Sequence, residues 1–138
     1  HYPDHAILAE ESGASGDSDY VWIIDPLDGT TNYLHGFPVF CVSIALAHKG
    51  RVEHAAVYDP LRQEIFSASR GQGALLDGRR IRVSGRKELE RSLIGTGFPY
   101  RSSNESVEYY MKMLAKAMER SAGIRRPGAA ALDLCYVR

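Results

Sequence analysis

The sequence predicts an α+β fold with a mostly antiparallel sheet. Three observations carry that expectation. Apolar segments of strand length, rich in β-branched and aromatic residues, recur up to residue 96; residues suited to hairpin turns separate them; and beyond that point the apolar period changes from that of a strand to that of a helix. A run of strands followed by helices is the α+β order. The 138 residues are enough for one compact domain and short for two, so a single domain over 1–138 is expected.

In chain order, Ala6-Ile7-Leu8-Ala9 is a short apolar run that ends at Glu10-Glu11, and "SGASGDSD" after it reads as a flexible loop. Tyr20 to Ile24 reads as a strand buried on both faces, with Asp25 at its C-terminal end and a turn at Pro26 and Gly29. Val42 to Ala47 and Val52 to Tyr58 are strands joined by His48-Lys49-Gly50-Arg51, a connection of hairpin length. Asp59-Pro60 makes the next turn and Glu64 to Ser69 the next strand. "RGQGALLDGRRIRVS" adds short strands, completing an antiparallel meander, and Ser92 to Thr96 gives one more. In Glu105 to Ser121, Val107, Tyr110, Met111, Leu114 and Met118 fall at helical spacing and are expected in a core, with Ser102 and Glu105 at capping-box spacing. Ala129 to Val137 reads as a second helix, entered through Pro127-Gly128.

Lys plus Arg and Asp plus Glu are equal at 17 each, which argues against a nucleic-acid or membrane-surface protein. Arg79-Arg80 and Arg125-Arg126 are read as solvated turn charges. Cys41 and Cys135 sit among apolar neighbours without CxxC spacing, as small buried hydrophobes in a reducing compartment do. No stretch has the length of a membrane span, and "HYPDHAILAEE" lacks a signal-peptide pattern, so a cytoplasmic protein is expected.

Chemistry concentrates in "IIDPLDGTTNY", residues 23–33, where two carboxylates stand three residues apart at the end of an apolar strand. Such acids are costly unless paired or metal-bound. With Pro26 fixing a turn, Asp25, Asp28 and the Leu27 carbonyl can converge on one point, and an all-oxygen ligand set suits magnesium. Gly29 clears space for a substrate. Thr30 adds a hydroxyl and an N–H that, at the start of a helical turn, favours an anion. Asp-Pro and Asp-Gly are also common turn dipeptides, but the full string after an apolar strand points to phosphoryl chemistry. The D-x-D-G-T motif of haloacid-dehalogenase-type phosphatases has its second Asp one residue nearer than in this chain, and an EF-hand loop is absent. His5, His35, His48 and His54 read as structural or surface residues, and no Ser/His/Asp set has useful spacing.

"WIIDPLDGTTNYLHGFPVFCVSIAL", Trp22 to Leu46, resembles the first motif of the inositol monophosphatase family, D-P-[IL]-D-G-T-T-N-[FY], and its surroundings. Tyr2-Pro3-x-His5 with Glu10-Glu11-Ser12 resembles the family's segment upstream; Val57-Tyr58-Asp59-Pro60, "GQGALLDGRRIRVS" and "RRPGAAALDLCYV" resemble bacterial members, so the likeness runs through the whole chain. It implies the layered α/β sandwich of inositol monophosphatases and sugar phosphatases, truncated here at both ends. It further implies a magnesium-dependent phosphomonoesterase with two or three ions in the complete site. In that reading Glu10 is a metal ligand and partner of the attacking water, Asp25 bridges two ions, Leu27 gives its carbonyl to the first, and Asp28 binds the second. Thr30 helps to orient the water, the Gly29 and Thr30 amides hold phosphate, and Gly128, Ala129 and Ala130 line the substrate side. Glu11 is either a solvated neighbour or a support behind the ligands.

The resemblance implies an inositol monophosphate as substrate and a homodimer as the working form. Relatives act on fructose 1,6-bisphosphate, 3′-phosphoadenosine 5′-phosphate or histidinol phosphate, and some bacterial relatives also contact the transcription machinery, so a binding or dimerisation module is the alternative of another class. Two departures stand out. Ala9 replaces a common Gly, and the W-D motif whose Asp completes the second metal site is missing, Trp22 being the only Trp. The helices that usually precede the Y-P-x-H segment are missing too. This piece alone is therefore expected to be weakly active or inactive.

Overall fold

In the computed structural model, which describes residues 2–98 and 104–137, strands follow one another closely: β1 (Ala6–Ala9), β2 (Gly13–Ser15), β3 (Tyr20–Asp28), β4 (Cys41–His48), β5 (Arg51–Asp59), β6 (Glu64–Ser69), β7 (Gly73–Leu76) and β8 (Arg79–Ile81). They form one sheet in the order β2-β1-β3-β4-β5-β6-β7-β8. From β3 onward each strand pairs antiparallel with the next, as the meander reading expects. β1 pairs antiparallel with β2 and parallel with β3. The hairpin turns are the tight two-residue kind: Lys49-Gly50 and Asp77-Gly78 all have positive φ, between 49° and 76°, the geometry that follows the strand twist. A short helix, α1 (Thr30–Leu34), lies between β3 and β4, and α3 (Ala130–Cys135) comes near the end of the chain. By packing, this sheet unit comprises residues 1–83 and 128–138, and residues 84–127 form a second compact unit.

Strand register sets the core. Asp25, Ser43, Val57, Phe66 and Leu76 lie in one row across the sheet and so share a face. α3 packs on that face, where Cys41, Phe66, Ala129 and Leu132 are buried together. The Phe66 and Tyr136 rings meet edge to face at 5.3 Å, and the Tyr136 hydroxyl donates to Glu64. Burial pushes the Tyr136 phenol up to about 12, with the Glu64 carboxylate adding to the effect. Asp59 closes the β5–β6 turn: it is buried, and its carboxylate accepts the Leu61 and Arg62 N–H groups and the Arg62 guanidinium at 2.7–3.0 Å. Burial alone would raise it, but those donors outweigh that effect and hold it below the usual carboxylate range.

Several expectations need correction. β3 is not buried on both faces: α3 packs mainly on β4 and β5, and Ile23 remains 38% exposed. Nor does β3 stop at Asp25, since its pairing with β4 resumes at Asp28. Part of the expected Gly/Ser loop is strand β2, because backbone pairing with β1 needs no apolar side chain. Arg79-Arg80 open β8 and are not in a turn, though both are exposed.

The second unit holds a 3₁₀ turn (Leu89–Arg91), β9 (Leu93–Gly95), helix α2 (Asn104–Arg120) and β10 (Gly123–Arg125). β9 and β10 pair in parallel. Arg125 therefore ends a strand, and Arg126 lies over the Phe98 ring at 4.6 Å; neither is a turn charge. Of the apolar stripe on α2, Tyr110 is buried and bonded through its hydroxyl to Thr96 at 3.0 Å, and Leu114 is half-buried. Val107, Met111 and Met118 are exposed, because within this unit a two-stranded ladder is too narrow to cover the whole stripe. The capping pair, which needs Ser102 and the Glu105 side chain, lies outside the described residues. Among the described residues no helix is long and apolar enough to cross a membrane, and both cysteines are free.

Candidate functional site

The acidic string owes its geometry to one extra residue. On β4 the pairing partners step by two, from Ser43 to Cys41, while on β3 they step by three, from Asp25 to Asp28. In a regular strand residues three apart point to opposite faces. The bulge absorbs the odd residue and returns Asp28 to the face that carries Asp25. Pro26 fits inside the bulge because it has no N–H to offer a ladder. Asp25 Oδ1 then accepts the Leu27 N–H at 3.0 Å, and the Leu27 carbonyl accepts the Thr30 hydroxyl at 2.8 Å.

Gly29 follows with φ 93° as the N-cap of α1. A Cβ there would stand 2.8 Å from the Val39 carbonyl oxygen, so both conformation and space require glycine. The helix is a single turn, and its first N–H groups, from Thr30 on, have no i−4 carbonyl within it.

Glu10 reaches the site from β1. β1 runs parallel to β3 with Leu8 opposite Ile23, and the Glu10 N–H donates to the Ile24 carbonyl at 3.2 Å, which brings Glu10 alongside Asp25. The Asp25 charge and a hydrogen bond to Asp25 push the Glu10 carboxyl above its ordinary value, with smaller contributions from burial, Glu11 and Asp28. The same negative charge is felt elsewhere. Burial first, then Asp28, pushes the Cys41 thiol up to about 12 and raises the Asp133 carboxyl.

The C-terminal segment closes the other side. Gly128, at φ 90°, leaves room for the Asn32 side chain, which a Cβ would approach to 3.0 Å. Asn32 in turn donates to the Val39 carbonyl at 2.8 Å. Ala129 is fully buried, Ala130 is exposed at the start of α3, and the Ala131 N–H donates to Asp28 Oδ2 at 2.6 Å. The structure thus gathers Asp25, Leu27, Asp28, Gly29 and Thr30 with Glu10 on one side and Gly128, Ala129 and Ala130 on the other, while Glu11 is an exposed neighbour. Of the histidines, His35 and His54 are exposed, and His5 and His48 lie half-buried in a stack of rings.

Three participants were not singled out from sequence: Cys41, whose Sγ lies 3.7 Å from Asp28 Oδ2, the Ala131 amide, and Asp133. Asp28 and Ala131 are 103 positions apart, and no periodic signal links them. Among the described residues no three His, Cys, Asp or Glu side chains are grouped as a ready-made cation site. The donor set nonetheless suits a hard cation. It is all oxygen, the Asp25 charge raises the proton affinity of the Glu10 carboxyl beside it, and the Leu27 carbonyl keeps a second lone pair beyond the one used by Thr30.

The profile of the inositol monophosphatase family matches residues 1–138. A Nus factor SuhB of Pseudomonas aeruginosa is 59% identical to the chain, over 99% of it and 52% of the relative. The crystal structure of extragenic suppressor protein SuhB from Bartonella henselae superposes with a TM-score of 0.92 at 46% identity, covering 99% of this chain and 53% of that one. An inositol monophosphatase from Anabaena (Nostoc) sp. PCC 7120 superposes with a TM-score of 0.86 at 45% identity, covering 99% and 55%. The chain spans about half the length of the relatives it matches. It belongs to the inositol monophosphatase family.

Proposed function

We propose that this inositol monophosphatase family chain carries the catalytic acids of a magnesium-dependent phosphomonoesterase that hydrolyses an inositol monophosphate. One observation supports the reading above the others: the bulge puts Asp25 and Asp28 on one face, with Glu10 crowded against Asp25. Asp25, Asp28, Glu10 and the Leu27 carbonyl would hold the metal. When bound, magnesium offsets charge on the phosphate and leaving oxygens and lowers the pKa of a bound water.

The chain's own residues supply orientation. Glu10 holds the attacking water from the β1 side. Thr30, its hydroxyl placed by the Leu27 carbonyl, helps to orient that water. The Gly29 and Thr30 amides, at the start of α1, hold the phosphate, the absent side chain of Gly29 making room for the Val39 carbonyl and Phe40 and not for substrate, and Gly128, Ala129 and Ala130 border the substrate. Attack by water in line with the leaving oxygen needs no covalent enzyme intermediate. The working form is proposed to be a cytoplasmic homodimer. The 138 residues alone are proposed to turn over slowly or not at all, since they contain no W-D aspartate.

A phosphate-release panel on the complete protein, with and without magnesium, tests the substrate. Inositol monophosphate is expected to be the best of four, ahead of fructose 1,6-bisphosphate, 3′-phosphoadenosine 5′-phosphate and histidinol phosphate. A preference for any of the other three would move the assignment to that branch of the family.

The name Nus factor on the Pseudomonas relative favours a second reading, a transcription-related binding or dimerisation module. A variant without turnover separates the two: under the first reading the biological phenotype is lost with catalysis, and under the second it survives.

A further inference from the structure

We propose that His5 is a positioning residue for Glu10: by accepting the Trp22 indole N–H it pins the register of β1 on β3 and so fixes the face on which Glu10 stands. The inference rests on the reading of Glu10 and Asp25 as cation ligands. β1 reads Ala-Ile-Leu-Ala. With no polar and apolar alternation, its hydrophobic pattern does not select one register over the next. A slip of one residue along β3 would carry Glu10 to the face opposite Asp25.

Two contacts hold the ends of β1. At the C-terminal end the Glu10 N–H meets the Ile24 carbonyl, but a backbone amide finds an equivalent carbonyl after a slip. At the N-terminal end Trp22 Nε1–H donates to His5 Nδ1 at 3.1 Å. That bond joins two particular side chains and exists in one register only. The His5 ring is further clamped between aromatic rings, Tyr2 at 4.9 Å and Tyr20 at 4.9 Å, and Tyr20 continues the stack onto His48 of β4 at 4.2 Å.

The bond fixes the role of His5: an indole N–H only donates, so His5 Nδ1 is the acceptor.

The test uses the complete protein with His5→Leu, His5→Asn and Trp22→Phe. It reads the Trp22 indole N–H resonance, assigned with Trp22→Phe, and magnesium affinity by calorimetry. His5→Leu is expected to shift the indole signal and weaken magnesium binding about three- to tenfold, the fold-change of one hydrogen bond. His5→Asn, whose Oδ1 falls where Nδ1 was, is expected to recover both. Unchanged magnesium affinity in His5→Leu, or His5→Asn as weak as His5→Leu, would overturn the proposal. If His5→Leu does not fold, Trp22→Phe takes its place: it must weaken magnesium binding, and adding His5→Asn to it must weaken binding no further. Equal magnesium affinity in wild type and Glu10→Gln would instead overturn the ligand reading beneath it.

Discussion

Asp25→Asn in the complete protein is expected to lower magnesium-dependent phosphate release by more than about a hundredfold. Groups that merely support a metal ligand are worth roughly 10- to 100-fold, and Asp25 is here a ligand itself. The substitution is nearly isosteric, and an amide oxygen can still accept the Leu27 N–H that Asp25 Oδ1 accepts at 3.0 Å, so the bulge should persist. What disappears is the charge that holds the Glu10 carboxyl above its ordinary value. Initial rates across a magnesium titration, with the unfolding midpoint as a control, separate lost cation binding from lost structure. A variant that keeps its rate at every magnesium concentration would remove Asp25 from the chemistry.

Gly29→Ala should damage the fold at the site through two penalties at one atom. The backbone there has φ 93°, a conformation that costs an L side chain about 1–2 kcal/mol. The new Cβ would also lie 2.8 Å from the Val39 carbonyl oxygen and 3.2 Å from Phe40, and overpacking of that kind adds about 1–3 kcal/mol. A loss of about 2–5 kcal/mol is therefore expected, read as a lower urea midpoint with an unchanged slope. Gly36→Ala is the internal control. Gly36 also has positive φ, at 68°, but nothing lies within 4 Å of its added Cβ, so only the conformational penalty applies. Equal losses at the two positions would show that the Val39 contact does not matter.

The meander was legible because its strands obey local rules: β-branched runs, two-residue turns and a Gly at the required positive φ. Asp25 and Asp28 were legible as a pair because they follow a buried-type strand. Their shared face was not, since it depends on the partner strand stepping from Ser43 to Cys41 while β3 takes three residues. The closure of the site by α3 was equally hidden. It hangs on the Ala131 amide meeting Asp28 and on Gly128 leaving space for Asn32, contacts between segments far apart in the chain. Exposure misled in both units for one reason. Apolar pattern reports which residues favour burial, while coverage depends on what packs against them, and neither Ile23 nor Met118 is fully covered within its own unit.

Diffraction from crystals of the complete protein soaked in manganese, as an anomalous stand-in for magnesium, tests the central claim most directly. The expected result is ion density about 2.0–2.1 Å from the Asp25 carboxylate, with the Leu27 carbonyl and the Asp28 carboxylate each at ligand distance from an ion and Glu10 within reach of the shell. Ion density elsewhere in the protein, with none between Asp25 and Asp28, would contradict the account.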